Sequence, residues 1–405
     1  MGEITILPSH GAFRTSSRRF RHRISTRKTE VISEKANDGI RHVSAIEVLE
    51  SPLSPPPPPV SILPSTQKAL VVTSKGTYKI DDSYPVPEFI IPSEVLIEPC
   101  AVGLNPIDWK SVAYNFCLPS FPWITGRELS GRVVKVHPSV GHLKVGDRVW
   151  TSTCYRDVRA GCFQQYVTVP QHTVLKIPDN IGFEKAACLG VPALTAAMTL
   201  WKWLEIGWAP HSPGLHPGDT STTDNWLLIW GGSTVTGQFA TQLALQCGWK
   251  VITVNSSRTK SLSLSLGATH VVTRDGKSNQ ELVDEIRQVT GGRITKAIDL
   301  VGPKTATLVL QCVSHDQPVD FAPLAMMAST QVVHEHVTVH TVEMKQFVLN
   351  EASRIYAQRL NELIAEGKLQ FPDLIIQDGG LDSIVAGLDM LQKGDLGGKK
   401  IVVRY

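Results

Sequence analysis

The sequence predicts an α/β protein: a compact, barrel-like β domain followed by a doubly wound parallel sheet. Three observations carry this. Short apolar strands separated by glycine turns run from Ala69 to Val167, the pattern of a small β domain. Strand and helix patterns then alternate from Trp226 to Phe321, as in β-α-β units. Within that half, Trp226–Val254 (WLLIWGGSTVTGQFATQLALQCGWKVITV) reads as an apolar strand, a glycine turn, a helix stopped at Gly248 and a second strand.

At 405 residues the chain is long enough for two domains. Its composition, 42% hydrophobic and 19% charged, is that of a soluble globular protein. Residues 1–65 hold nine of the 40 Lys and Arg and six of the 37 acids, leaving 31 of each elsewhere. A neutral folded part carries no nucleic-acid footprint, and no apolar run reaches membrane-spanning length. The seven cysteines (Cys100, Cys117, Cys154, Cys162, Cys188, Cys247, Cys312) form no Cys-x-x-Cys pair. Scattered thiols of this kind suit a reducing, cytoplasmic setting without a structural zinc lobe.

Residues 1–65 read as a disordered extension ending in the Pro55–Pro59 run, a polyproline linker. Phe13–Lys28 is Arg- and Ser-rich like a mitochondrial transit peptide, although Glu3 and the missing apolar face favour a solvated tail. Residues 66–204 form the first part of the β domain. Strands are expected at Ala69–Thr73, Glu94–Val102 and Arg132–Val136, Val145–Trp150 reads as a turn and then a strand, and another strand starts at Gly161–Val167. Leu104–Lys110 is a turn into a helix, with Pro106 as rigid entry and Asp108 as first-turn acid. Phe183–Leu189 and Leu194–Leu204 are expected helices, and residues 205–225 an exposed Pro/Gly/Ser insertion. Trp201, Trp203 and Trp208 beside it read as core or as a partner surface.

Residues 226–342 form the parallel-sheet domain. Gly231, Gly232, Ser233, Thr234, Val235 and Thr236 make a turn that seats a pyrophosphate on a helix N-terminus, and Gly237 lets helix and strand pack closely. A unit that binds nothing is the alternative, because Ser, Thr and Val replace the usual middle glycine. The second strand ends in Asn255-Ser256-Ser257-Arg258-Thr259-Lys260, with no carboxylate to hold a ribose 2′-hydroxyl. Hydroxyls and two cations there point to NADPH, with Arg258 on the 2′-phosphate. Ser257 as a helix cap and Lys260 as a solvated lysine fit the same residues. Further on, VVHEHVTVHTV from Val332 reads as a strand with His334, His336 and His340 on one face, an exposed edge rather than a metal site. A helix at Lys345–Glu366, strand residues Ile375–Ile376, a helix at Leu381–Lys393 and a strand at Lys400–Arg404 make residues 343–405 a return to the first domain.

Together these segments resemble the medium-chain dehydrogenase/reductase superfamily across residues 66–405. The matching stretches are Asn105-Pro106-x-Asp108-x-Lys110, Gly126-x-Glu128-x-x-Gly131, Val145-Gly146-Asp147-Arg148-Val149, Thr195-Ala196-Ala197, Leu266-Gly267-Ala268 and Asp299-Leu300-Val301-Gly302. The resemblance implies a GroES-like β-barrel catalytic domain with an inserted Rossmann domain. The superfamily's zinc branch has a Cys in the first loop and Gly-His-Glu, where this chain has Asn105–Asp108 and Gly126-Arg127-Glu128. A charged Arg cannot ligate zinc, so the zinc-free reductases remain. Among these the chain is most similar to the fungal trans-acting enoyl reductases of polyketide synthases. The Gly231-Gly232-Ser233-Thr234 turn, the insertion before the Rossmann domain and the tail from Gly379 to Lys400 carry that likeness.

The resemblance implies NADPH held also by Asn105, Pro106, Ile107, Asp108, Arg274 (where the family usually has Tyr), Phe321, Ala322, Gly397 and Gly398. It implies hydride transfer to a trans-2-enoyl thioester on an acyl carrier of a polyketide synthase. Lys110 is the expected enolate donor or substrate or cofactor contact, the alternative being a surface helix lysine or a salt bridge to an acid such as Asp108. Asn105 and Thr195 are expected to line the nicotinamide pocket, Thr195 alternatively being a helix-start hydroxyl. A quinone or enone reductase and a non-catalytic NADPH-binding protein are the alternatives. The trans-acting branch resembles monomers, whereas the superfamily often dimerises through a Rossmann edge.

Overall fold

The computed structural model describes residues 63–207 and 225–405. The expected disordered extension up to residue 62, and residues 208–224 of the expected insertion with Trp208, lie outside the described residues.

The first domain is built from β1 (Thr66–Ser74), β2 (Thr77–Pro85), β3 (Glu94–Gly103), β4 (Trp123–Ile124), β5 (Glu128–Val136), β6 (Arg148–Ser152), β7 (Val167–Pro170) and β8 (Val174–Lys176). β1 pairs with β2 and β4, while β3, β5, β6 and β8 run antiparallel side by side and β7 adds to β3. Inward residues of these strands, among them Ile97, Leu129, Val149, Val167 and Val174, form one apolar core.

The second domain holds β9 (Trp226–Trp230), β10 (Lys250–Asn255), β11 (His270–Thr273), β12 (Ile294–Asp299), β13 (Val319–Pro323) and β14 (Val337–Val339). They lie in the order β11-β10-β9-β12-β13-β14, every pair parallel. Every residue of β9 is buried, as in a sheet covered on both faces. Strand order reverses between β9 and β12, the switch point where such sheets bind ligands beyond their carboxyl ends. The chain then returns: β15 (Leu374–Gln377) pairs with β16 (Lys400–Arg404), and β16 pairs antiparallel with β3. Among the described residues no helix is long and apolar enough to cross a membrane.

Four local expectations are corrected. No strand begins at Gly161; β7 starts at Val167. The buried Gln164 side chain instead donates to the carbonyls of Val158, Arg159 and Gly161, stabilising an irregular turn. The expected helix over Phe183–Leu189 stops at Ala186. Wide π-type turns at Leu189–Ala193 and Thr199–Trp203 flank a regular segment, Leu194–Met198; Pro192, lacking an N–H, lies in the first of them. The helix expected over 345–366 is interrupted after Leu349 because Asn350 takes extended dihedrals and caps Ala352 N with its own side chain. The long histidine strand shrinks to Val337–Val339. His336 Nε2 donates to Ser314 O (3.0 Å) and His340 Nε2 to Asp320 Oδ1 (2.7 Å), so two of the three histidines are satisfied within the sheet edge.

One core joins the domains. Trp150 and Leu175 of the barrel meet Leu194 and Leu200, then Leu227 and Phe239 of the parallel-sheet domain, then Leu360 and Ile364 of the helix Arg354–Ala365. Leu360 is fully buried there. Leu360→Ala is expected to cost about 2–5 kcal/mol. Denaturant unfolding should show one transition at a lower midpoint by both fluorescence and circular dichroism; separate transitions would disprove the shared core.

Candidate active site

The glycine turn follows β9 at the switch point. Gly231 has φ +89°, a conformation that side chains rarely adopt. A Cβ on Gly232 would lie 2.5 Å from Thr253 Cβ, and one on Gly237 would lie 2.5 Å from Gly231 O. Glycine is therefore required at all three positions. Thr234 caps the helix Val235–Gln246 by accepting from Gly237 N (3.1 Å). Asn255, at the end of β10, accepts from Ser233 N (3.1 Å) and donates to Ser263 Oγ (2.5 Å), riveting the turn to the second strand. The tail packs on the same turn: Gln238 Nε2 donates to Ser233 O (3.0 Å) and Gly398 O (2.6 Å). A dinucleotide fits this arrangement, with backbone N–H groups and the positive helix end facing its phosphates.

Ser257, Arg258, Lys260 and Arg274 form an exposed, mostly cationic rim at the ends of β10 and β11. Two carboxylates already engage it. Asp275 accepts from Ser257 N, which holds its carboxyl below the usual range. Arg258 pairs with Asp395 of the tail at 2.5 Å. Residues 255–260 carry no acid, as expected, yet the loop after β11 brings one alongside them. Ser256 and Thr259 share a hydroxyl contact (3.2 Å). Phe321 and Ala322 are fully buried on β13, beneath the carboxyl edge of the sheet.

On the barrel side, Asn105 caps the helix Pro106–Tyr114, and its backbone N–H donates to Asp108 Oδ2 (2.8 Å). Tyr155 donates to Asp108 Oδ1 (2.5 Å). Burial outweighs these two bonds and pushes the Asp108 carboxyl from its ordinary 3.8 up to about 6. Lys400, only 3% exposed, donates to Glu128 Oε1 (2.6 Å) and Asn105 Oδ1 (2.7 Å). Asn105 Nδ2 also reaches Glu128 Oε1 (2.9 Å), and Val191 N donates to Glu128 Oε2 (2.8 Å). Thr195 is buried in the segment that follows Val191. Pro106 and Ile107 open the helix, Pro106 exposed and Ile107 half-buried.

Beside this network lies a cavity of about 510 Å³ between barrel loops and the return segment, lined by Phe116–Pro119, Arg127, Cys154–Arg156 and Val342–Lys345. The ligand set of a zinc site does not fit here. Arg127 occupies the middle of the Gly-x-Glu triplet, and no three His, Cys, Asp or Glu side chains among the described residues are placed to hold a metal.

The structure thus brings Asn105 and Asp108 together with Glu128, and the glycine turn with Gly398. Lys110 is apart from them: exposed, its Nζ 5.7 Å above the Trp109 ring, with no salt bridge to Asp108. Lys400, Tyr155, Asn255 and Asp275 were missed as site residues. Lys400 was read only as the start of a strand, and its partners Asn105 and Glu128 lie 295 and 272 residues away.

Lys400→Met should leave Glu128 buried without its cation and cost about 3–5 kcal/mol. Adding Glu128→Gln should recover part of that loss in thermal denaturation; an uncharged pair no better than the single variant would argue against the ion pair. Asp108 gives a second expectation. Between about pH 4 and 6 the native state keeps a proton that the unfolded chain has released, so this contribution to stability is lost as pH rises. Tm across that window should lose this downward component in Asp108→Asn.

Residues 91–179 match the alcohol dehydrogenase GroES-like domain family, and residues 236–365 the family described as zinc-binding dehydrogenase. The trans-enoyl reductase buaC of Petromyces alliaceus is 28% identical over 374 residues, covering 84% of this chain and 98% of the relative. The trans-enoyl reductase himH of Aspergillus japonicus is 30% identical over 321 residues, covering 76% and 89%. Among solved structures, Escherichia coli quinone oxidoreductase complexed with NADPH superposes with a TM-score of 0.66 at 19% identity, covering 84% of this chain and 99% of that one. With its barrel, its Rossmann strand order and this sequence likeness, the chain belongs to the medium-chain dehydrogenase/reductase superfamily, in the family of the trans-enoyl reductases.

Proposed function

We propose that this protein is an NADPH-dependent enoyl reductase that acts in trans, reducing the C=C bond of an enoyl thioester carried on a polyketide synthase. The observation that carries the reading is the glycine turn at the switch point, with a cationic rim on one side and the Asn105–Glu128–Lys400 polar network on the other. The trans-enoyl reductase relatives supply the substrate class.

When bound, NADPH supplies the hydride that adds to Cβ of the enoyl thioester. The residues of the chain do the rest. Backbone N–H groups of Val235 and Thr236, with the Ser233 hydroxyl beside them, receive the pyrophosphate at the helix N-terminus. Arg258, Lys260 and Arg274 gather the 2′-phosphate, with Ser256, Ser257 and Thr259 as hydroxyl donors. Asn105 and Thr195 line the nicotinamide, Asn105 held in place by Lys400 and Glu128. Pro106, Ile107, Gly397 and Gly398 flank the cofactor, with Phe321 and Ala322 supporting the sheet edge from beneath. Lys110 meets the cofactor or substrate from the exposed rim, a binding contact rather than a chemical one.

Oxidation of NADPH and NADH by the purified protein, with trans-2-enoyl N-acetylcysteamine thioesters or simple quinones, tests the reading. NADPH with the thioester should turn over. Arg258→Ala should erode the preference for NADPH over NADH by roughly tenfold, the scale of one charge-assisted contact. Lys110→Ala should raise KM with kcat little changed. Equal turnover of quinones would instead make the protein a quinone reductase, and tight NADPH binding without turnover a non-catalytic binder.

A further inference from the structure

Hydride addition to an enoyl thioester pushes the π electrons onto the carbonyl oxygen. That oxygen needs a donor where the charge develops. Lys110 lies outside the cavity, so the cavity's own cations are the candidates: Arg127, Arg156 and Lys345. Lys345 is ion-paired with Glu343 (2.6 Å), and Arg156 is exposed and faces the same acid. Arg127 differs. Its Nε donates to Thr153 O (2.8 Å), and its guanidinium carbon lies 4.6 Å above the Tyr155 ring. These contacts fix the plane of the group and dry one of its faces. Among the described residues neither of its two η nitrogens has a hydrogen-bond partner. Arg127 is also chain neighbour to Glu128, which binds Asn105, and it stacks on Tyr155, which binds Asp108. A fixed cation with unused donors therefore opens into a cavity adjoining the proposed nicotinamide pocket.

We propose that Arg127 is the electrophile of the reaction: its η N–H groups hold the thioester carbonyl oxygen and stabilise the enolate. This rests on the enoyl reductase reading. The hydride forms a C–H bond at Cβ, the C=C π pair becomes the enolate, and the dihydronicotinamide is oxidised. The enolate then collapses as Cα takes a proton from solvent, giving the saturated thioester. Arg127 keeps its proton throughout.

Two measurements test this. In Arg127→Met, kcat with the enoyl thioester should fall about 10²–10³-fold, with KM for NADPH and Tm near wild type; Arg127→Lys should recover part of the loss. The second needs no turnover. Acetoacetyl N-acetylcysteamine, a 3-oxoacyl thioester whose enolate absorbs in the near ultraviolet, is titrated with pH on the protein. Bound to wild type it should become the enolate at lower pH than when bound to Arg127→Met. Wild-type turnover with kcat and enolisation unchanged in Arg127→Met would overturn the role of Arg127 while leaving the enoyl reductase reading intact. Absence of wild-type turnover would instead remove that reading, and with it the inference.

Discussion

The buried pair of Lys400 and Glu128 is the constraint around which the barrel side of the molecule is arranged. Two ions taken out of water are stable only when every remaining lone pair and proton is used. Glu128 meets that condition with Lys400 and Asn105 on one oxygen and Val191 N on the other. Each partner comes from a different part of the chain: the last strand, the turn before the helix Pro106–Tyr114, and the wide turn before Thr195. Packing tightens around the same carboxylate. A Cβ on Gly103 would lie 2.5 Å from Glu128 Oε1, and one on Gly190 would lie 2.7 Å from Glu128 Cβ and 2.3 Å from Thr151 O. The Asn105 side chain is thereby positioned by residues at both ends of the folded chain.

A second set of charges governs the dinucleotide side. Asp275 and Asp395 sit on Ser257 N and on Arg258, donors that a 2′-phosphate would also use. Binding of a 2′-phosphate at this rim would therefore be an exchange of anions, with the dianion gaining over each carboxylate by charge and by number of acceptors. The Asp395 pair also fixes the tail. Gly398 lies against Ser233 O so closely that a Cβ there would be 2.8 Å away. Arg258 and the glycine turn are thus mechanically linked through residues 395–398.

Most of the fold was legible because its signals are local. Apolar runs bounded by glycine gave β9, β10 and the helix between them, and the Asn-Pro-x-Asp stretch gave the capped helix at Pro106. The failures share a cause: side chains overrode the local pattern. Gln164 replaced strand hydrogen bonds with its own amide, Asn350 split a helix, and His336 and His340 turned alternation into edge contacts. The site was legible where residues are contiguous in sequence, as in the glycine turn and Ser256–Lys260. It was not legible where an ion pair closes over 272 residues, since Lys400 in a short basic run looks like a solvated lysine until β16 pairs with β3.

The substitution that excludes zinc also constrains the chemistry that replaces it. A metal offers a Lewis acid and acidified water at one point. A guanidinium offers only donors: it cannot release its proton at any working pH. Stabilisation of the carbonyl oxygen and protonation of Cα must therefore be separate tasks for separate groups. The geometry accommodates the division, because Arg127 is fixed by Thr153 O and the Tyr155 ring and its η nitrogens have no partner among the described residues. A lysine there would carry the charge but not the planar fork, and would lose the ring contact that orients it. Hence orientation of the cation, beyond its charge alone, is what the Thr153–Arg127–Tyr155 stack supplies.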